Sequence, residues 1–344
     1  MDRAEVTLHP EEIASLISAH YGLKVHSLVK VRAIYRADTE ACSFGFKNAA
    51  ELPDLPVIAE RLRRIRRNGF PHIPDFLPTA GGEYLIRHKG EAYFMEQWIE
   101  SEEIPKQSFP YLHKIGSALA DFHRAAGGIE FPRSSRRYEW GKRGSYLLRA
   151  YRLIEAWRRK PPLASRERDI LDFLHYRCAL AYEYVRHVRT DLIRWHRPEA
   201  AVLCHGGLHH KNMMIDRRQN IWFIDFETCA FAERVFDLAQ LLQYHAAPYD
   251  WNRLVVDRFL QAYVSRLQRP IARGEWNVFF SYIAFPRRFY NRMVRYFGNP
   301  ERPPEFFLKL KETLDQDTAK ENFLRLYPPH ASHIAIGPSF PFIG

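Results

Sequence analysis

Two oxygen-bearing side chains, Asn212 and Asp225, stand 13 positions apart and bracket two apolar runs, Met213 to Ile215 and Ile221 to Ile224. A hairpin with those runs as its arms turns at Arg217-Arg218-Gln219-Asn220 and carries the amide and the carboxylate to the same end. Converging oxygen ligands are what a hard divalent cation needs when it is held against phosphate groups. The loop that leads in, His205-Gly206-Gly207-Leu208-His209-His210-Lys211-Asn212, leaves an apolar strand, and the outgoing strand ends in Asp225-Phe226-Glu227. Glu227 is therefore either a further metal contact or a carboxylate facing water. Cys204, His205, His209 and His210 come nearest to a zinc set, but they lack the second, separated cluster that zinc sites use.

The elements that position these groups follow from periodicity. A helix is expected from Pro10, with Ile13, Leu16 and Ile17 on one face and Gly22 as its stop. The stretch HSLVKVRAIYRADTEACSFGFK alternates on both sides of an Ala-Asp-Thr-Glu turn and predicts a hairpin or meander ending at Lys47. A helix opening at Leu55-Pro56 carries Ile58, Leu62 and Ile65 and stops at Gly69; strands follow in GGEYLIRH and EAYFMEQWIE. Beyond Glu103 long helical patterns take over, over Tyr111 to Ala126, Tyr146 to Arg159 and Glu167 to Arg194. The strand-loop-hairpin insertion interrupts them, and helices resume from Phe236. The chain divides on this reading into 1–100, a sheet-rich lobe; 101–327, a helical lobe that holds the loop and hairpin; and 328–344, a Pro-rich irregular tail.

Composition narrows the classes. Apolar residues make up 46% and aromatic residues 14%, enough for buried cores and too many for a disordered chain. No window approaches the ~18 uncharged apolar residues of a bilayer-spanning helix. The start lacks a basic segment followed by an apolar one, so cytoplasmic synthesis is the expectation. Four scattered cysteines suggest no disulfide framework. The net charge is +11, and residues 131–200 hold 17 Arg or Lys against 8 Asp or Glu. That asymmetry favours an acidic partner through this region, although no zinc-finger, RNP or homeodomain pattern accompanies it.

These residues together resemble the aminoglycoside and choline phosphotransferase superfamily of kinase-like proteins, whose loop reads H-G-D-x-x-x-x-N followed by I-D-[FW]-[DE]. Within it, the chain resembles the CotS-type spore coat proteins in GFPHIPDFLPTAGGEYLI, IGSALADFHRAAGG, IWFIDFE, VFDLAQLL and FPRRFYNRMVRYF. The resemblance implies an α+β, two-lobed protein kinase-like fold: an N-terminal, mostly antiparallel sheet with a helix, then a larger helical C-terminal lobe. It implies ATP and Mg²⁺ as cofactors, Asp225 and Asn212 as metal ligands with Glu227 beside them, and Lys47 as the contact to nucleotide phosphates. Glu60 becomes the candidate ion-pair partner of Lys47, Met95, Gln97 and Trp98 supply a backbone hinge for adenine, and Asp237 orders the loop. His205 packs in that loop, and Tyr138, Trp140 and Tyr146 are candidates to line the acceptor pocket. The family's catalytic aspartate falls on Gly207, which has no side chain to accept a proton. The expected protein is a kinase-like, spore coat-associated pseudokinase or weak phosphotransferase. An active kinase of a small-molecule hydroxyl or coat protein is the first alternative, with His209 or His210 as substitute bases, and a basic nucleic-acid-binding protein the second.

Overall fold

Pro10 in the first turn, and Gly22 at φ +68° returning its N–H to the Ser18 carbonyl, set the ends of the first helix. In chain order the elements are α1 (Pro10–Tyr21), β1 (Val25–Val31), β2 (Ile34–Thr39), β3 (Ser43–Asn48), α2 (Leu55–Arg67), β4 (Phe76–Leu77), β5 (Ile86–His88), β6 (Glu91–Gln97) and β7 (Ser101–Glu103). They continue as α3 (Leu112–Ala125), α4 (Arg143–Arg158), α5 (Ser165–Val185), α6 (Thr190–His196), β8 (Ala201–Cys204), β9 (Met213–Asp216), β10 (Ile221–Phe223) and β11 (Ala230–Glu233). Four helices complete the list: α7 (Val235–Ala246), α8 (Arg253–Val264), α9 (Arg273–Ala284) and α10 (Arg287–Gly298). This computed structural model describes residues 8–50, 52–105, 107–160, 163–299, 317, 319–321 and 323–325. The expected tail, 328–344, lies outside the described residues.

The chain forms two compact units, one from Met1–Glu103 with Met213–Glu227, the other from Ile104–Asn212 with Thr228–Gly344. In the first, an antiparallel sheet runs in the order β1-β2-β3-β6-β4, with β5 also on β6. Strand alternation sorts its faces: Phe44, Phe46, Tyr93 and Met95 join Ile13, Leu16 and Ile17 of α1 in one apolar cluster. Gly45, Lys47, Phe94 and Glu96 take the other side. The helix α2 buries Ile58, Leu62 and Ile65 as the pattern predicts. A second, three-stranded sheet, β10-β9-β7, completes this unit.

Three local expectations change. The first β-rich stretch is a meander, β1-β2-β3, but Ala37 to Thr39 lie in β2 rather than in the turn: Arg32, at φ 56°, follows β1, and Asp38 still pairs with Ser43, so the second turn comes only beyond Thr39. The helix expected from Glu167 to Arg194 stops at Val185 and restarts at Thr190. The strand that leads into the loop, β8, pairs with β11. The hairpin itself groups with the first unit, because β9 pairs with β7 across Ser101↔Asp216, Glu102↔Ile215 and Glu103↔Met214. Sequence spacing carries no signal for that long-range pairing.

The second unit is helical. Here α3 lies on α8, α4 and α9 on α5, and α7 on both α8 and α9. Trp276, Phe279, Tyr263 and Phe122 are among its fully buried side chains. Gly116 of α3 sits where an added Cβ would lie 2.7 Å from the Phe259 carbonyl oxygen, so the α3–α8 contact requires glycine. Arg234 and Glu275 form an ion pair at 2.8 Å with side chains 4% and 3% exposed.

Candidate active site

In the first unit, the register pairs Lys47 of β3 with Phe94 and Gly45 with Glu96, so the Lys47 and Glu96 side chains are diagonal neighbours on one face. Lys47 Nζ lies 2.8 Å from Glu96 Oε1, and both side chains are about nine-tenths buried. Burial works against the ammonium charge, but Glu96, Asp225 and Glu227 outweigh it and raise the Lys47 pKa. Glu96, which the sequence reading missed, thus holds the place expected for Glu60. Glu60 is exposed on the face of α2 opposite Ile58, Leu62 and Ile65, where the helix period put it; no ion pair joins it to Lys47.

Asp225 follows β10 in the left-handed region at φ 68°. A residue with a Cβ is disfavoured there by roughly 1–2 kcal/mol. Its Oδ1 is buried without a hydrogen-bond partner. A buried, unpartnered carboxylate oxygen on a strained backbone, in the electrostatic reach of Lys47, fits a cation ligand. The main chain of Met95, Gln97 and Trp98, the expected adenine hinge, is engaged as follows. Met95 is paired on both sides, to Phe46 and Leu77. The Gln97 N–H donates to the Asp75 carbonyl at 2.8 Å and the Trp98 N–H to the Ser43 carbonyl at 3.2 Å. Protein carbonyls, not solvent, accept from the Gln97 and Trp98 donors.

In the second unit, Asp237 of α7 organises the loop. It accepts the His205 N–H at 2.7 Å and the Gly206 N–H at 2.9 Å. His123 Nε2 lies 3.2 Å from the same carboxylate, and His123 Nδ1 is 2.8 Å from the Tyr263 hydroxyl. Burial favours a neutral Asp237, yet the His123 bond and the backbone donors win and hold its pKa below the usual carboxylate range. Burial lowers His123, which suits a neutral ring donating from Nε2. His123, Cys204 and Asp237 place donor atoms within 4.8 Å of one another. Those atoms already bond Tyr263, the Glu233 carbonyl and the loop, so the cluster orders the chain rather than holding a metal. His205 is fully buried, and its Nδ1 accepts the Gly207 N–H at 3.3 Å.

Thr228 closes over the two glycines. A Cβ on Gly206, at φ +78°, would lie 2.3 Å from the Thr228 carbonyl oxygen, and a Cβ on Gly207 would lie 2.6 Å from Thr228 Oγ1. The space of the expected aspartate side chain is thus taken by a threonine hydroxyl, a residue the sequence reading did not single out. Asn212 is 9% exposed and donates Nδ2 to the Gly207 carbonyl at 3.0 Å, so Oδ1 is the atom it could offer to a cation.

Among the described residues, two concavities stand out in this unit. One, of about 680 Å³, is lined by Tyr138 and Trp140 with Arg133 and Arg194. The other, of about 300 Å³, is lined by Arg143, Tyr244, Arg287 and Arg288. Tyr146 lines neither; its ring packs edge-on against Phe285. Much of the positive charge of 131–200 is internally matched, as in Arg158 with Asp172, Arg189 with Asp191 and Arg194 with Glu130.

An antiparallel sheet with a buried Lys–Glu pair, a strand-end aspartate and an Asp-anchored H-G-x-x-x-x-x-N loop defines a kinase-like phosphotransferase. Residues 37–276 match the APH phosphotransferase enzyme family, and the chain belongs to that family. An aminoglycoside phosphotransferase from Alicyclobacillus acidocaldarius superposes with a TM-score of 0.74 at 18% identity, covering 94% of this chain and 96% of that one. The AMP-bound spectinomycin phosphotransferase APH(9)-Ia follows at 0.67 and 16%, covering 93% and 99%. A choline/ethanolamine kinase family protein from Mesorhizobium loti gives 0.56 and 12%, covering 95% and 98%. At these identities the likeness shows the kinase-like fold. No curated protein matches the sequence. Among the described residues no helix is long and apolar enough to cross a membrane.

Proposed function

We propose that this phosphotransferase-family chain binds a magnesium nucleotide and transfers phosphate weakly or not at all, acting as a kinase-like protein of the spore coat. The orphaned Oδ1 of Asp225 carries the reading: a buried carboxylate oxygen without a partner is costly unless something binds it. Asp225 and Glu227 of the first unit are the proposed metal ligands there; for Asn212, of the second unit, the ligand role rests on the family resemblance alone. Lys47, fixed by Glu96, is the proposed phosphate contact. Bound Mg²⁺ supplies charge neutralisation of the phosphates. The proposed adenine contact is the main chain of Met95, Gln97 and Trp98, as the family resemblance implies.

Gly207 supports the weak-transfer half, since loss of a general base typically lowers rates by ~10²–10⁴. Active transfer is the second reading, favoured by the retained lysine, asparagine and aspartate, because positioning and metal carry most of this chemistry. Coat association rests on the CotS resemblance, with residues 131–200 as the proposed contact to an acidic coat partner. Immunolabelling of sporulating cells tests it, and signal confined to the mother-cell cytosol rejects it.

Thermal denaturation with ADP or ATP, with and without Mg²⁺, tests the site. At 100 Kd of ligand a bound state gains about 2.7 kcal/mol, so a clear rise in Tm is expected for wild type, lost in Asp225→Asn and in Lys47→Met. A folded wild type that ignores nucleotide overturns the reading. Radiolabelled transfer to small alcohols or coat proteins as fast as in established kinases replaces it with the active alternative.

A further inference from the structure

The smaller cavity of the helical unit has a charge that the phosphotransferase reading does not require. Arg287 and Arg288 open α10 and are exposed. Cations in the first turn of a helix oppose its dipole and are unfavourable without a counter-charge. Arg143 faces the same space with its side chain buried. Its Nε and Nη2 bond the Ser281 hydroxyl and carbonyl at 3.1 and 2.7 Å, and its guanidinium lies 4.1 Å from the Tyr282 ring centroid. Arg287 stacks on Phe236 and Arg288 on Tyr244.

Among the described residues, no carboxylate forms an ion pair with any of these three arginines. The carboxylate that acts on Arg143 from a distance is Glu233, whose own pKa burial raises. Lys320 and Asp317 also line the cavity, and they pair with each other. Among the described residues, three guanidiniums therefore meet in about 300 Å³ without a paired carboxylate.

One wall residue of the cavity reaches the loop. Tyr244, in its wall, packs edge-on against His209, with ring centroids 5.6 Å apart.

We propose that this cavity binds a small anionic ligand, and that the phosphate acceptor is an alcohol already carrying a phosphate or carboxylate group rather than an amine-bearing antibiotic or choline. Arginine suits such groups because its planar fork bonds two oxygens at once. The acceptor role rests on the phosphotransferase reading; anion binding does not.

Isothermal titration calorimetry of the full chain at low salt tests this with glycerol 3-phosphate and inorganic phosphate, against spectinomycin and choline. The variants are Arg287→Ala/Arg288→Ala, whose side chains are exposed and whose fold is checked by circular dichroism, and Lys47→Met. Expected is saturable binding of glycerol 3-phosphate in wild type and in Lys47→Met, weakened about tenfold or more by the double arginine change and by added salt. Binding of the cations instead, or of none of the probes, overturns the proposal. Phosphate binding abolished by Lys47→Met yet indifferent to the arginines also overturns it, and leaves the nucleotide site of the first unit standing.

Discussion

Gly207→Asp has two opposed effects, and the structure separates them. The new Cβ would stand 2.6 Å from Thr228 Oγ1, closer than such contacts occur. Thr228 is β-branched and has few alternative rotamers. Its hydroxyl also bonds the His205 carbonyl at 3.4 Å. Overpacking of this kind costs about 1–3 kcal/mol, which lowers Tm by ~2–6 °C at roughly 2 °C per kcal/mol. The single variant is thus expected to be less stable and little more active than wild type. Adding Thr228→Ala frees the space for the carboxylate. The double variant should regain most of the lost Tm and hydrolyse Mg-ATP, with water as acceptor, ~10²–10⁴ times faster than wild type, or about 3–5 kcal/mol of barrier. Gly207→Ala/Thr228→Ala should regain stability without turnover. Steady-state ADP release and thermal melts on the same preparations read both effects. A wild type as fast as the aspartate double variant would falsify the claim that the base is missing; an unchanged Tm for Gly207→Asp refutes the role given to Thr228.

Three further outcomes follow from packing and charge. Gly116→Ala gains ~1 kcal/mol of helix propensity but drives a methyl into the Phe259 carbonyl, so urea denaturation should show net destabilisation of about 1–3 kcal/mol; a neutral change would mean that α3 and α8 part easily. Glu275→Gln strands the buried Arg234 charge and should cost about 3–5 kcal/mol, while Arg234→Met/Glu275→Leu recovers most of it, short of the ~1 kcal/mol supplied by the Glu275 bond to the Ala272 N–H at the start of α9; a double variant no more stable than the single one contradicts this. His245 is 1% exposed, and burial pushes its pKa down from 6.5 to about 4. The unfolded chain then binds the proton that the folded chain refuses, so stability is complete above about pH 6.5 and falls by about 3 kcal/mol as pH drops toward 4; His245→Gln should flatten that stretch of the stability–pH curve, and an unaltered slope argues against it.

Local patterns were legible wherever one face of an element is buried. The stripe Ile58, Leu62 and Ile65, the glycine stop at Gly22 and the hairpin Met213–Phe223 each follow from spacing. What depends on register between distant segments was not. Glu96 becomes the partner of Lys47 only because β3 pairs with β6 in one phase, a fact that no window of either strand contains. Thr228 was silent because its importance lies in a 2.6 Å approach to a residue 21 positions away. The three arginines were visible as composition, but their meeting in one cavity needed α4 and α10 placed in space.

The hairpin leaves a mark on how the chain must be made. Among the described residues, strand β7 pairs only with β9, which is synthesised 110 residues after Glu103. During translation the first unit therefore waits, one short edge unsatisfied, until most of the helical unit has emerged. A fragment cut at Glu103 is not a shorter domain but an incomplete one, and the polypeptide crosses between the units three times, so neither can be excised or swapped by a single join.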